Sequence, residues 1–339
     1  MRSFNVHPFP ARMASDLALG KAKELKENSV VLDPMAGSGT VIQAASFGGH
    51  RCIALDVDPL AVLITKVATG RLNDERYDRL VAGLLRRAQG LYMRDVDLPW
   101  VDTETDVFIR YWFAPPQRRA LMRLSYVLHT SRSLSDDSIE ANALRIAISR
   151  LIITKERGAS LARDVSHSRP HRVADHNDFD VFAELEVSAR RVKQRLADMD
   201  HGRRPIVRLG DARALPWIRN SSIDMIMTSP PYLNAIDYMR GHRLSLVWLG
   251  YSLFYLRQIR SDSIGAERAL DLLPTTAEAK KIRSALGKVH KLPTRFQNIV
   301  DRYAFDLLSI MKQSARVLRK DGKAIFVIGN SCLRGIYIS

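Results

Sequence analysis

A short segment, Ser229-Pro230-Pro231-Tyr232, follows directly on an apolar run at 223–227 that predicts a buried strand. The two prolines make the segment rigid and remove N–H donors. The hydroxyl of Ser229 and the carbonyl of Pro230 can then accept hydrogen bonds, while Tyr232 offers a ring face for stacking. The segment predicts a clamp for a flat substrate with a polar edge, and the alternative is a purely structural turn.

Such a clamp suits group transfer to an exocyclic amine of cytosine or adenine. That amine is a poor nucleophile because its lone pair is delocalised, and acceptors aimed at its hydrogens stabilise the charge that develops. Stacking on Tyr232 is expected of an enzyme that extrudes its target base. Methylation at cytosine C5 requires a cysteine thiolate. That reaction is disfavoured here, because neither Cys52 nor Cys332 follows a proline.

A glycine-rich turn lies between an apolar run at 29–33 and a helical stretch. Strand, glycine turn and helix together bring backbone N–H groups against a ligand. The next predicted strand ends at Asp56, about 20 residues on, where an acid can accept bonds from ribose hydroxyls. The turn residues expected to contact a cofactor are Asp33, Pro34, Ala36, Gly37, Ser38, Gly39 and Thr40.

The chemistry of this turn favours a cationic cofactor. Its glycine spacing is not G-x-G-x-x-G, and Asp33 suits a cation better than a pyrophosphate. S-adenosylmethionine, with an ammonium and a sulfonium, is therefore preferred over NAD, although a glycine turn of another α/β fold is the alternative. Asp211, after a predicted strand at 205–209, could bond the adenine amino group or cap a helix, and both stay open.

The composition limits the class of protein. The 339 residues have a formal net charge of +16, which favours nucleic acid first and a membrane surface second as partner, or a solvated basic surface. No apolar run approaches the roughly 18 residues that span a bilayer, and a signal core is lacking. The two cysteines show no metal-binding spacing, so we expect no metal site and a reducing, cytoplasmic compartment.

The chain divides into an α/β part at 1–70, a basic helical insertion at 71–204 and a second α/β part at 205–339. A polar loop at 157–178 suggests phosphate contacts or a solvated loop, and the insertion is a candidate DNA-recognition region. The loop's candidate phosphate-binding residues are Arg157, Arg163, Arg169 and Arg172. Helices are predicted at 79–89, 116–129, 139–153, 179–199, 235–249 and 300–319, a basic helical insertion at 251–298, a turn at 320–322 and a strand at 323–329.

With both motifs in place, the chain resembles the amino-group DNA methyltransferases, which form N4-methylcytosine or N6-methyladenine. The segment 33–40 resembles the family's cofactor motif, 229–232 its catalytic motif and 56–61 its second acidic motif. Phe9 and Pro10 lie in a segment similar to the one that closes over the methionine of the cofactor.

The resemblance covers roughly 1–70 and 205–335 and implies an α/β fold, a Rossmann-like class I methyltransferase sheet with a large helical insertion. It implies S-adenosyl-L-methionine as cofactor, double-stranded DNA as substrate, and a restriction–modification or phage-protection role with a cognate restriction endonuclease. Serine at the first catalytic position is more often associated with cytosine N4, and adenine N6 stays open. Because Ser339 comes early for the family's final strands, the C-terminal part of the sheet is expected to be incomplete.

Two other functions stay open. An RNA methyltransferase acting on guanine N2 has similar motifs, but such enzymes typically have an RNA-binding domain ahead of the cofactor motif, which here begins at Asp33. A truncated nucleic-acid-binding protein without activity would bind DNA in a salt-dependent way and have no affinity for the cofactor.

Overall fold

The structure is a computed structural model that describes residues 6–9, 13–154, 157–163, 170–199, 202–233, 237–265 and 277–338. Its strands are, in chain order, β1 (Val30–Asp33), β2 (Arg51–Asp56), β3 (Ala162–Arg163), β4 (His171–Arg172), β5 (Ile206–Leu209), β6 (Ile223–Thr228), β7 (Leu318–Phe326), β8 (Ser331–Leu333) and β9 (Ile336–Ile338). Five of these strands form a central sheet in the order β5-β2-β1-β6-β7, with every neighbouring pair parallel. The predicted α/β class with a methyltransferase-type parallel sheet is confirmed.

The α-helices of the described residues surround this sheet and extend away from it. They are α1 (Ser15–Lys23), α2 (Thr40–Phe47), α3 (Pro59–Ala68), α4 (Asp74–Gly90), α5 (Thr103–Trp112), α6 (Pro115–Thr130), α7 (Ile139–Ser149), α8 (Val181–Ala197), α9 (Tyr238–Leu246), α10 (Leu253–Asp262), α11 (Ala277–Ala285) and α12 (Thr294–Val317).

The strand order creates a switch point between β1 and β6. From β1 the chain continues to β2 on one side, and it later returns to β6 on the other side. In open α/β sheets such a point leaves a crevice at the carboxyl ends of the strands, where ligands bind. Asp33 ends β1, Asp56 ends β2 and Thr228 ends β6. The sheet therefore places both sequence motifs at the same edge.

Helix α3 begins directly after a capping residue. The side chain of Asp58 accepts a hydrogen bond from the amide of Leu60 at 2.8 Å, and Pro59 occupies the first turn. The cap satisfies an amide that has no partner within the helix, and the fixed φ of proline suits the first helical position. This short connection holds Asp56 and Asp58 close to the edge of the sheet.

Two elements differ from the sequence-based expectations. Helix α5 was not predicted, although Asp102 caps it by accepting a bond from the Thr105 amide at 2.7 Å. The predicted turn at 320–322 is wrong, because these residues lie within β7. The pairing with β6 shifts there, between Ile223 and Met225, so the glycine and polar residues that suggested a turn form a strand irregularity instead.

The helices of the predicted insertion share one hydrophobic core with α3 and α9. Leu84 of α4, Leu121 of α6 and Leu185 of α8 are fully buried in it, together with Leu60 of α3 and Leu244 of α9. Helices α4, α6, α7 and α8 contact one another around this core. The insertion thus packs directly behind two helices that begin beside the crevice and supports their position.

The strands β8 and β9 pair antiparallel with each other as a separate hairpin, outside the central sheet. The hairpin buries Leu333 and Ile338 against a small cluster that includes Val300 and Tyr303 of α12. Among the described helices, none combines the length and apolar character needed to cross a membrane. The described part of the chain also contains no group of three or more His, Cys, Asp and Glu side chains placed to hold a metal ion.

Candidate active site

A cavity of about 900 Å³ lies at the carboxyl edge of the sheet and brings the two sequence motifs together. The predicted site residues that line it are Phe9, Asp33, Pro34, Ala36, Gly37, Ser38, Thr40, Asp56, Asp211, Ser229, Pro230, Pro231 and Tyr232. Gly39 does not line the cavity, and Pro10 lies outside the described residues. One cavity is therefore lined both by the expected cofactor residues and by the expected clamp.

The two glycines of the turn have different structural roles. Both have a positive φ, 51° at Gly37 and 77° at Gly39, which L side chains rarely adopt. A Cβ on Gly37 would come within 3.3 Å of the Phe9 ring, whereas a Cβ on Gly39 would meet the Thr65 hydroxyl of α3 at 2.8 Å. Gly37 permits the close approach of Phe9 to the turn, and Gly39 lets α2 begin directly against α3.

Asp33 is a buried acid at the end of β1, only 3% exposed. Its Oδ1 accepts hydrogen bonds from the hydroxyl of Thr228 at 2.7 Å and from the amide of Met35 at 3.2 Å. Burial raises the pKa of Asp33 to about 7, against the effect of these two bonds. In the described residues no Lys, Arg or His forms an ion pair with it. Its carboxylate is therefore available to a cation in the cavity.

Asp56 at the end of β2 is held by the backbone of the turn and of α3. Its Oδ2 accepts a bond from the amide of Gly37 at 2.8 Å, and its Oδ1 from the amide of Asp58 at 2.9 Å. Burial raises the pKa of Asp56 to about 6, and the negative charge of Asp58 acts in the same direction. These bonds fix the orientation of the carboxylate at the cavity wall.

Asp211, just past β5, is engaged by an arginine. Arg213 pairs with Asp211 at 2.6 Å and with Asp306 of α12 at 2.8 Å, and it donates to the carbonyl of Asp262 at 2.7 Å. No helix begins at Asp211 in the described residues, so the cap alternative is not observed. Arg213 joins β5, α10 and α12 at the cavity, a link that the sequence analysis missed.

The clamp residues are anchored by the neighbouring strand and by α12. The hydroxyl of Ser229 donates to the carbonyl of Val327 at 3.0 Å, so its lone pairs face away from that bond. The Tyr303 hydroxyl donates to the carbonyl of Pro231 at 2.9 Å. Tyr232 is 40% exposed, and a Cβ at Gly329 would lie 3.1 Å from its ring. Glycine at 329 therefore leaves room for the ring that the sequence predicts as a stacking face.

Aromatic and basic residues that the sequence analysis did not single out complete the cavity wall. Phe9 stacks on Tyr238 of α9 with ring centroids 5.5 Å apart. Asp58 pairs through Oδ2 with Nδ1 of the buried His242, also on α9. Arg257 and Arg260 of α10 also line the cavity. The only sequence signal for these two arginines is the basic character of 251–298. The contacts of Phe9 with Tyr238 and of Asp58 with His242 join residues far apart in the chain.

Three of the arginines predicted to contact phosphates, at 157, 163 and 172, lie outside the cavity. Arg157 pairs with Asp178, and Arg172 pairs with Asp175 at 2.8 Å while lying over the Tyr111 ring. Arg163 donates to the carbonyls of Ser160 and Ala162, at 3.1 and 2.8 Å; Arg169 lies outside the described residues. The arginines at 157, 163 and 172 thus have local contacts, and none of them lines the cavity.

The fold and the cavity together define a class. A parallel sheet with a glycine turn and an acid at the end of β1, and with a Ser-Pro-Pro-Tyr segment at the end of β6, has the architecture of a Rossmann-like methyltransferase. Comparison with known proteins agrees.

The chain is similar to curated type II methyltransferases. It is 21% identical to the Type II methyltransferase M.BsoBI of Geobacillus stearothermophilus over 358 residues, which cover 90% of this chain and 69% of that protein. It is also 21% identical over 350 residues to the Type II methyltransferase M.AvaI of Nostoc sp. and of Anabaena variabilis, covering 91% of this chain and 69% of each relative. No protein-family model and no solved structure matches the chain. The predicted resemblance to methyltransferases is confirmed.

Proposed function

We propose that this protein is an S-adenosylmethionine-dependent DNA methyltransferase of a restriction–modification system. Its target is an exocyclic amine of a base, with cytosine N4 the first candidate. The observation that supports this most strongly is that Asp33, Asp56, Ser229 and Tyr232 all line one cavity. The relatives named above are consistent with it, because each is a type II methyltransferase.

The two buried acids that line the cavity fit a cationic cofactor. Asp33 and Asp56 are acids that no Lys or Arg side chain neutralises in the described residues, and burial raises the pKa of each. A bound ammonium would offset that cost of burial for Asp33 by favouring its charged carboxylate, whereas Asp56 would accept hydrogen bonds from the ribose hydroxyls of the cofactor. Phe9 and the backbone of Gly37 would enclose the cofactor. S-adenosylmethionine supplies an electrophilic methyl group when bound.

The clamp residues Ser229 and Pro230 would activate the amine. The Ser229 proton is directed to the carbonyl of Val327, which leaves its oxygen free to accept a hydrogen bond from the amine. The carbonyl of Pro230 accepts no hydrogen bond within the described part of the chain and can accept the second one. Two acceptors on the amine stabilise the positive charge that develops on nitrogen during transfer.

Tyr232 would stack on the extruded base. Its ring is at the cavity wall and 40% exposed, and base–aromatic stacking is tolerant of sequence. The wall continues into α10, where Arg257 and Arg260 face the same space. They and the arginines of the 157–178 loop are proposed contacts for DNA phosphates, in keeping with the net charge of +16.

Cytosine is placed before adenine because of Ser229, as the family resemblance implies. Both bases offer an exocyclic amine with two hydrogens, and the two acceptors of the clamp suit either. An N6-adenine methyltransferase is therefore the alternative form of the same proposal, with the same roles for Asp33 and Tyr232.

A labelled-methyl assay tests this function. The protein is incubated with methyl-labelled S-adenosylmethionine and either duplex DNA or tRNA, and acid-precipitable label is counted. Label in DNA and not in tRNA is expected. Label in tRNA alone would replace the proposal with the RNA methyltransferase. Calorimetric titration with S-adenosylhomocysteine separates an inactive DNA-binding protein, which would show no heat of binding, from an enzyme tested with the wrong DNA site.

A further inference from the structure

The last residue of β6 is a buried threonine, although it follows apolar residues in the strand. Thr228 is 0% exposed and follows the apolar Ile226 and Met227 in the strand. A buried hydroxyl needs a hydrogen-bond partner, whereas a valine of nearly the same shape does not. The partner of this hydroxyl is the Oδ1 of Asp33, 2.7 Å away on the adjacent strand.

This bond is the shorter of the two that Asp33 accepts in the described residues. The other comes from the Met35 amide at 3.2 Å. The negative charge of Asp56 at the end of β2 raises the pKa of Asp33, and Asp56 is itself influenced by Asp58 and His242. The neighbouring charge is thus negative and disfavours ionisation of Asp33, so the Thr228 hydroxyl is the main side-chain group that favours it.

The same threonine belongs to the clamp through its backbone. Its carbonyl accepts a hydrogen bond from the amide of Val327 at 2.9 Å. The next residue, Ser229, donates its hydroxyl proton to the carbonyl of the same Val327. One residue therefore contacts the acid of the cofactor turn with its side chain and fixes the start of the clamp with its main chain.

We infer that Thr228 is a positioning residue, which holds Asp33 ionised and oriented toward the cationic cofactor and ties that carboxylate to the clamp. The inference rests on the proposed function, since it takes S-adenosylmethionine as the ligand of Asp33. Burial raises the pKa of Asp33 to about 7, and the bond from Thr228 opposes that rise. Without the hydroxyl the pKa would rise further, and fewer molecules would have the charged form at neutral pH.

The test compares Thr228→Val with Thr228→Ser and the wild-type protein. Calorimetric titration with S-adenosylhomocysteine, which keeps the ammonium, is performed from pH 6 to pH 9. Loss of a hydrogen bond to a charged group is expected to weaken binding by about tenfold at pH 7 in Thr228→Val. The pH at which half of the maximal affinity is reached is expected to move up by about one unit. Thr228→Ser keeps the hydroxyl and should resemble the wild type.

A purely structural role predicts a different pattern. Thermal unfolding of each variant reports stability, and a destabilised Thr228→Val with an unchanged pH midpoint would overturn the inference, as would equal affinity of Thr228→Val and wild type. If Thr228→Val fails to fold, Thr228→Ala is titrated in the same way. Absence of S-adenosylhomocysteine binding by the wild type at every pH would instead contradict the proposed function itself.

Discussion

Two acids, Asp33 and Asp56, set the charge of the cavity at the residue scale. Both are held by hydrogen bonds to backbone amides, at 3.2 Å from Met35 and 2.8 Å from Gly37, yet burial raises both pKa values. Ionisable groups with shifted pKa values are frequent at functional sites because ligand binding compensates for their cost. Ionisation of these two buried acids should therefore lower the stability of the unliganded protein.

Replacing Asp33 by asparagine should stabilise the unliganded protein at neutral and alkaline pH. The folded-state pKa of about 7 is above the ordinary value of 3.8, so the folded protein binds more protons than the unfolded chain between these values. Stability is then lost as pH rises from about 4 to about 7 and stays constant above. The advantage of Asp33→Asn should grow across that window to roughly 1 to 4 kcal/mol.

Chemical denaturation at pH 5 and pH 8, without ligand, measures this effect. The variant should also bind S-adenosylhomocysteine more weakly, since the carboxylate is lost. Equal stability differences at the two pH values would show that Asp33 is not the group whose pKa is raised.

At the scale of elements, the turn between β1 and α2 depends on two glycines, and a third offers a matched control. Gly39 and Gly49 have φ values of 77° and 79°, but a Cβ at Gly39 would meet Thr65 at 2.8 Å, whereas nothing lies within 4 Å at Gly49. A left-handed conformation costs an L residue about 1 to 2 kcal/mol. Gly49→Ala should lose only this amount of stability. Gly39→Ala should lose more stability, because α2 or α3 must move.

Thermal unfolding of Gly39→Ala and Gly49→Ala checks this difference. In a chain of this size, each 1 kcal/mol lowers the unfolding temperature by about 2 °C. A larger fall for Gly39→Ala, together with weaker S-adenosylhomocysteine binding, is expected. Equal falls would show that contact between α2 and α3 does not constrain the turn.

Helix α12 should affect catalysis through the contact between Tyr303 and the clamp. Burial raises the pKa of Tyr303 to about 12, so its hydroxyl keeps its proton and donates to the carbonyl of Pro231 at neutral pH. Tyr303→Phe removes this bond, worth about 1 kcal/mol, and should lower kcat about fivefold. The Kd for S-adenosylhomocysteine should stay the same, because Asp33 and Asp56 are untouched. An altered Kd with unchanged kcat would contradict this role.

The sequence predicted those elements whose signals are local. The strand β1 with its turn and the strand before Ser229 each follow from residues within a few positions of one another. Helix α5 could have been found from the acid that caps it, Asp102. Local patterns could not predict contacts between distant segments, because the sequence does not indicate which elements pack together.

Three contacts at the cavity show this limit. Asp58 pairs with His242 across 184 positions, Arg213 with Asp306 across 93, and Tyr303 with Pro231 across 72. Asp58 and Pro231 lie in motif segments that the sequence analysis singled out, but His242, Arg213, Asp306 and Tyr303 do not. These partners become site residues only when the sheet and helices pack. The predicted turn at 320–322 failed for the same reason, since pairing with β6 decides its conformation.

At the scale of the whole molecule, the net charge of +16 should dominate the affinity for DNA. Lys and Arg side chains that contact phosphates release counterions, so log Kd should depend linearly on log salt, and six to ten contacts would weaken binding by about 10³ to 10⁵ between 50 and 200 mM salt. Fluorescence anisotropy with a labelled duplex at several KCl concentrations measures the slope. Affinity for S-adenosylhomocysteine is the control and should change little; a flat salt dependence for DNA would contradict phosphate binding.

The central claim is transfer of a methyl group to an exocyclic amine of a base held against Tyr232. Mass spectrometry of nucleosides from duplex DNA, incubated with the protein and methyl-labelled S-adenosylmethionine, tests it most directly. Tyr232→Phe keeps the stacking face and Tyr232→Ala removes it, at a cost of about 1 to 3 kcal/mol per stacked base. We expect labelled N4-methylcytosine with the wild type and Tyr232→Phe, and a loss of about 5- to 150-fold with Tyr232→Ala. Labelled N6-methyladenine would change the base but keep the mechanism. No methylated cytosine or adenine, or equal amounts from wild type and Tyr232→Ala, would contradict it.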